Sequence, residues 1–263
     1  MPRTPLSDQV AGILLAGGSG TRMRPLTQFA NKHVLPVHMR PMIEYPLGTL
    51  LGAGLSDILV VTGRRHMGQI VDVLGSGSEY GDDVRFTYRV QDEARGIADA
   101  LGLAEDFAAG RRLAVILGDN VFDADELPGV LRDFAAAEPA HALNLLVEVD
   151  DPRAYGVARL EDDRIVEIVE KPETPPSSLA VTGFYGYPAD VFDIVRELVP
   201  SARGELEISD VNNAYARAGT LRHHVVEHWF DAGEPEPWMR TQRYVADHPE
   251  RFGPARFRLG GNA

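Results

Sequence analysis

Along the first half of the chain, short apolar runs alternate with stretches whose apolar positions recur every three or four residues. The runs at 10–16, 57–62 and 113–117 are each followed at once by a glycine, Gly17, Gly63 or Gly118. That is the pattern of strands buried on both faces of a parallel sheet. Residues 84–90 alternate apolar and polar, and 142–149 form another strand-like run. Helical spacing occupies 42–53, 66–74, 96–107 and 126–137, the first two stopped by Gly54 and Gly75. The alternation predicts an α/β fold: a doubly wound, mainly parallel, Rossmann-like sheet with right-handed crossovers.

The second half changes character. Residues 156–160 and 164–169 flank Glu161-Asp-Asp-Arg164, a hairpin signal, and 180–187 follow as a strand. Helices are predicted at 189–198 and 206–218, the latter ended by Gly219, then a strand at 221–227 and a helix at 237–247. With no repeat, low-complexity tract or linker, the expectation is a single domain over 1–263. Its halves are about 10–140 and about 141–248, followed by an irregular tail at 249–263.

The first run ends in Gly17-Gly-Ser-Gly-Thr-Arg22, at the carboxyl end of a strand, where an open α/β sheet binds its ligand. Gly17, Gly18 and Gly20 lack a Cβ, so backbone N–H groups around Ser19 and Thr21 can approach anionic oxygens closely, with Arg22 and Lys32 adding positive charge. A dinucleotide fingerprint fails, because Met23 holds its third glycine position, and a Walker loop fails for want of Gly-Lys-Ser/Thr. Glycines alone fit a tight strand–helix turn equally well. Arg22, Arg24 and Lys32 tip the balance towards a cradle for a phosphate chain.

Charge sharpens this picture. A formal net charge of −13 argues against nucleic acid or an anionic membrane as partner, so a phosphate site must be a local basic cluster. Of 26 Lys+Arg residues only Lys32 and Lys171 are lysine. Lysine offers a compact, rotatable ammonium, although a codon bias towards arginine would also leave a stray pair. The absence of cysteine removes disulfides and thiolate metal sites. No run approaches the ~18 apolar residues of a membrane span, nor does the start carry a signal-peptide core, so a cytoplasmic protein is expected.

Gly17 to Arg22, Asn31-Lys-His-Val-Leu-Pro36 and Arg40-Pro-Met-Ile-Glu-Tyr-Pro46, with further segments in order as far as Gly233, resemble the signature of sugar-1-phosphate nucleotidylyltransferases. Within that family the match is to the glucose-1-phosphate thymidylyltransferase subgroup, in its short form. The resemblance implies a GT-A-like nucleotidyltransferase fold with an added sugar-binding hairpin and helix region. It also implies transfer of a nucleotidyl group from dTTP to glucose 1-phosphate, with Mg²⁺ as cofactor and a homo-oligomeric state. Leu15, Gly17, Gly18, Ser19, Gly20, Thr21, Arg22, Lys32, Gln91 and Gly96 would bind the nucleotide. Asn120, Tyr155, Gly156, Glu170, Lys171, Val181 and Arg203 would bind the sugar phosphate. Asp119 and Asp231 would hold the metal, and Arg22, Lys32, Asp119 and Lys171 would carry catalysis.

Each assignment has a bland counterpart. Asp119, at a strand tip, could cap the next helix, and an Asp-Ala-Gly turn such as that of Asp231 is often structural. His223, His224 and His228 suit zinc better than magnesium and read as strand and surface residues. Asp99 stands where the family often has glutamine; a carboxylate there would mildly repel a nucleotide or else face solvent. A sugar phosphate is already largely dianionic near neutral pH, with a second pKa of about 6, so no general base is needed. The work left is positioning and charge neutralisation for in-line attack on the α-phosphorus. Competing readings are a UTP-preferring enzyme, an inactive sugar-nucleotide-binding module, and a glycosyltransferase using Asp123-Ala-Asp125, a triplet better read as a helix N-terminus.

Overall fold

The computed structural model describes residues 5–18 and 20–252. A helical turn, α1 (Leu6–Gln9), leads into β1 (Val10–Ala16), buried throughout. A small ribbon, β2 (Pro36–Val37) and β3 (Arg40–Pro41), precedes α2 (Glu44–Gly52), β4 (Asp57–Gly63), α3 (Met67–Leu74) and β5 (Arg85–Gln91). Next come α4 (Ile97–Gly102), α5 (Glu105–Ala108), β6 (Arg112–Leu117), β7 (Asn120–Asp123), α6 (Leu127–Ala136) and β8 (Ala142–Glu148). The second half holds β9 (Gly156–Glu161), β10 (Arg164–Glu170), β11 (Leu179–Tyr187), α7 (Val191–Glu197), α8 (Ile208–Ala218), β12 (Leu221–Val225), β13 (His228–Asp231) and α9 (Pro235–Asp247).

One mixed, mainly parallel sheet runs through both halves in the order β10-β9-β11-β6-β1-β4-β5, with β8 joining β11 to β12. β6, β1, β4 and β5 are parallel, so their carboxyl ends and the loops that follow share one edge. β11 enters antiparallel to β6 and β8, and its register with β8 shifts between Val181 and Tyr185. An irregularity of this kind bends a strand and re-aims its residues, here beside the site.

The alternation inside β1 explains the layering. Ala11, Ile13 and Leu15 face a core shared with α4, α7 and α8, while Val10, Leu14 and Ala16 face one shared with α2, α3 and α6. A strand buried on both faces needs apolar residues at every position, hence the unbroken runs. The β9–β10 hairpin turns through Asp162 (φ 47°) and Asp163 (φ 59°), two residues in the left-handed region as a tight primed turn requires.

Several expectations need correction. The helix foreseen over 96–107 is two helices, because it stops at Gly102, a poor helix former that packs closely on Val195. Asp123 ends a strand, and α6 begins only at Leu127, so Asp123-Ala-Asp125 is not that helix's N-terminus. Residues 249–252 form a short 3-10 turn instead of irregular tail, and 253–263 lie outside the described residues. The ladder between β7 and β13, which pairs Asp231 with Asn120, had no sequence forecast.

Candidate active site

A cavity of about 540 Å³ opens at the carboxyl ends of β1 and β6 and extends to the β9–β10–β11 region. On one side Leu15, Gly17, Gly18, Arg22, Lys32, Gln91 and Gly96 line it. Gly18 (φ 91°) and Gly20 (φ 61°) adopt conformations that favour glycine, so the loop can turn its amides inward. The Thr27 Oγ1 hydroxyl donates to the Gly20 carbonyl at 2.6 Å and braces that turn. Thr21 begins the 3-10 turn that carries Arg22. Ser19 lies outside the described residues. The Arg22 guanidinium is exposed and meets Glu234 at 2.5 Å.

Lys32 is held from behind. Asn31 caps the next turn by accepting from the His33 backbone N–H at 2.9 Å and pairs with the buried His33 ring at 2.8 Å. Burial, and then the neighbouring Lys32 charge, push the His33 pKa down to about 3, so the ring is neutral. The fixed turn aims the largely buried Lys32 ammonium at Asp119 Oδ2, with which it pairs.

Asp119 and Asp231 are brought together. The β7–β13 ladder sets Asp231 opposite Asn120, and the Ala232 N–H donates to the Asp119 carbonyl at 2.9 Å. A Cβ placed on Gly233 would lie 2.7 Å from Asp119 Oδ2 and 2.9 Å from Asp231 Oδ1. Both carboxylates therefore converge on one small space that only a glycine leaves open. Burial tends to raise the Asp119 carboxyl, but the Lys32 charge and hydrogen bonds from Lys32 and Asn120 outweigh it and hold it below the usual range. Burial, and then the Asp119 charge, raise Asp231, because one ammonium does not neutralise two carboxylates.

This donor set fits a hard divalent cation. Among the described residues no cluster of three or more His, Asp, Glu or Cys is poised for a metal. An ion between Asp119 and Asp231 would complete its shell with water and substrate phosphates, as Mg²⁺ commonly does. His223, His224 and His228 lie elsewhere, beside Asp163, Glu126 and Glu227.

The opposite wall carries Tyr155, Gly156, Glu170, Lys171, Val181 and Arg203. Lys171 follows β10 with φ 44°, a left-handed conformation unusual for lysine, and its N–H donates to the Tyr155 carbonyl at 3.0 Å. Glu170 accepts from Ser209 Oγ at 2.9 Å and faces Arg203 at 3.6 Å, while Arg203 pairs more closely with Glu207 at 2.9 Å. Asn120 is nearly inaccessible. Its Oδ1 accepts from the Gly183 N–H at 2.8 Å and Trp229 Nε1 at 2.6 Å, and its Nδ2 donates to Asp119 at 3.0 Å. Its side chain ties β7, β11 and β13 together.

Three residues of the site were missed from sequence: His33 behind Lys32, Trp229 on Asn120, and Ser209 on Glu170. His33 was in view inside the Asn31-Lys-His motif, but nothing in one sequence says that it is buried. The Asp99 side chain is mostly buried and does not line the cavity. It accepts from Gln91 Nε2 at 2.8 Å and pairs with Arg95 at 3.2 Å.

A glycine-rich loop, a buried carboxylate pair and a wall carrying Lys171 and Arg203, arranged around one strand-end cavity, are the makings of a nucleotidyltransferase. The sequence profile of the Nucleotidyl transferase family matches residues 11–248, and the chain belongs to that family. It is 44% identical over 239 residues, 89% of this chain and 77% of the relative, to a glucose-1-phosphate thymidylyltransferase of Actinoplanes sp.. Its identity to the enzyme of that name from Neisseria meningitidis is 40%, over 89% of this chain and 82% of that one. Among solved structures, one assigned as a glucose-1-phosphate thymidylyltransferase from Bacillus anthracis, in complex with a sucrose, superposes with a TM-score of 0.85 at 48% identity, covering 90% of this chain and 96% of that one. A UDP-glucose pyrophosphorylase complexed with UDP-glucose gives 0.79 at 26% identity, covering 91% of this chain and 99% of that one.

Proposed function

We propose that the chain transfers a thymidylyl group from dTTP to glucose 1-phosphate, forming dTDP-glucose and releasing pyrophosphate. The observation that carries this reading is the convergence of Asp119 and Asp231 on one point beside the Lys32 ammonium, between the glycine loop and the Lys171–Arg203 wall. Thymidine is favoured over uridine because the relatives at 40–44% identity are thymidylyltransferases, whereas the UDP-glucose pyrophosphorylase neighbour stands at 26%.

In this reading the amides of the Gly17–Thr21 loop and Arg22 hold the triphosphate, and Gln91 and Gly96 meet the base. Lys171 and Arg203 hold the sugar phosphate, whose oxygen needs no base to attack the α-phosphorus. Glu170 and Tyr155 line the sugar pocket. Lys32 stabilises charge that builds as pyrophosphate leaves, in a water-poor setting where one ammonium counts for more than in solvent. Mg²⁺ is the metal proposed, held by Asp119 and Asp231, where it would supply charge neutralisation at the phosphates. Arg22 exchanges its Glu234 contact for phosphate when the nucleotide enters.

A pyrophosphate-release assay of sugar 1-phosphates against each nucleoside triphosphate, with and without Mg²⁺, tests the proposal. The expected result is Mg²⁺-dependent turnover greatest with dTTP and glucose 1-phosphate. Binding of both without turnover would make the chain a sugar-nucleotide-binding module.

A further inference from the structure

The carboxamide of Gln91 is buried at the cavity wall, and the way it faces is dictated from behind. Its Nε2 donates to the Gly96 carbonyl at 3.1 Å and to Asp99 Oδ2 at 2.8 Å, so both amide hydrogens are engaged by atoms that can only accept. Its Oε1 points to the glycine loop, 3.2 Å from where a Cβ on Gly17 would stand. The second Asp99 oxygen faces Arg95 at 3.2 Å, which keeps that carboxylate in place. Turning the carboxamide over would press its oxygen against a carbonyl and a carboxylate together. A neutral amide at position 99 could rotate and follow Gln91 in either orientation; a carboxylate cannot.

We propose that Asp99 is a positioning residue that locks Gln91 with its oxygen towards the base, so that the site demands an imide N–H and rejects a base presenting a ring acceptor there. The proposal rests on the nucleotide reading of this cavity and deepens it. Thymine and uracil carry such an N–H between two carbonyls, whereas cytosine has an unprotonated nitrogen at the same place. Binding dCTP therefore means either two acceptors face to face or a flipped Gln91 that Asp99 opposes. The carboxylate contributes through Gln91 and touches no substrate.

The experiment is calorimetric titration of the full chain with dTTP and with dCTP, in the presence of Mg²⁺, for wild type, Asp99→Asn, Asp99→Ala and Arg95→Ala. Asp99→Asn is isosteric and can donate as well as accept. It is expected to keep dTTP affinity within about twofold yet lose about tenfold of the dTTP-over-dCTP preference, since a hydrogen bond that a charged group no longer enforces is worth about that much. Asp99→Ala, which leaves only the Gly96 carbonyl to oppose a turned amide, should lose preference similarly. Arg95→Ala, which loosens the carboxylate but leaves it as an acceptor for Gln91 Nε2, should lose less of the preference than Asp99→Asn, and KM for glucose 1-phosphate should stay constant in all four. A merely structural role for Asp99 would lower stability or both affinities together without changing their ratio. An unchanged ratio in Asp99→Asn overturns the proposal, as does wild-type protein that binds dCTP as well as dTTP. Wild type that prefers dTTP but never turns over would count against the proposed reaction and leave the lock supported.

Discussion

Lys171 holds a backbone conformation that costs a non-glycine residue about 1 kcal/mol or more, at the rim of the cavity. Such a cost persists where the surroundings enforce it, here the bond from its N–H to Tyr155. If the position requires a compact ammonium, Lys171→Arg should lower kcat/KM for glucose 1-phosphate on the order of a hundredfold, since a ~1 Å displacement of the attacking group has that effect. Nucleotide affinity should be nearly unchanged. Lys32→Arg should show the opposite pattern, because the buried Lys32–Asp119 pair leaves little room for a planar guanidinium. Steady-state kinetics with each substrate varied in turn distinguish the two, and wild-type constants in both variants would leave the lysine pattern a matter of composition. His33 makes a different prediction. Its folded pKa of about 3 lies below the ordinary 6.5, so the unfolded chain binds the extra proton. The stability this represents is complete above pH 6.5 and falls as pH drops towards 3, by about 1.4 kcal/mol per pH unit. Denaturant melts between pH 4 and 6 should show a slope shallower by one proton in His33→Gln than in wild type, whatever the offset between them; parallel slopes would mean the ring is not held neutral.

At the scale of elements, the loop from Gln91 to Asp99 is pinned to the loop before α8. The Leu206 N–H donates to the Arg95 carbonyl at 2.8 Å, and the Ala98 N–H donates to the Leu206 carbonyl at 3.3 Å. Gly96 permits this with φ 102°, and a Cβ there would lie 2.4 Å from the Leu206 oxygen. Gly96→Ala must therefore separate the two loops. The expected result is a loss on the order of a hundredfold in kcat/KM for both substrates, where a change confined to the base pocket would affect the nucleotide alone. The junction also marks where sequence reading gave out. Strands buried on both faces announce themselves, as β1, β4 and β6 do. β7 and β13 are four residues each, mix polar with apolar positions, and exist because they pair with one another. Asn120 was expected to bind the sugar phosphate, but its structural task was not legible, since its partners Gly183 and Trp229 are 63 and 109 residues away in sequence. The glycine loop, Lys32, Asp119 and Lys171, each picked out within a local motif, line one cavity.

Across the whole molecule, the carboxylate pair depends on a clamp outside the cavity. Asp231 meets Asp119 only while β13 keeps its register on β7, and the far end of that ladder is Asp123 opposite His228. The buried Asp123 side chain accepts from Arg251 at 2.7 Å and from Tyr244 at 2.8 Å. Burial would raise its carboxyl, but these bonds hold it below the usual range. Phe252 packs edge-on to Tyr45 at 5.6 Å, and its carbonyl accepts from Arg40 at 2.6 Å, so α9 and the turn after it strap β7 to α2. Removing one partner from a buried charge leaves it uncompensated, which destabilises more than the pair itself stabilises. Arg251→Ala should therefore lower Tm by a few degrees. Because the loosened ladder lets Asp231 drift, it should also raise the Mg²⁺ concentration needed for half-maximal rate, leaving KM for glucose 1-phosphate alone. Tyr244→Phe, which removes one bond and keeps the ring packed, should fall between wild type and Arg251→Ala in both measures. A lowered Tm with an unshifted Mg²⁺ titration would separate the clamp from the carboxylates and make its role one of stability alone.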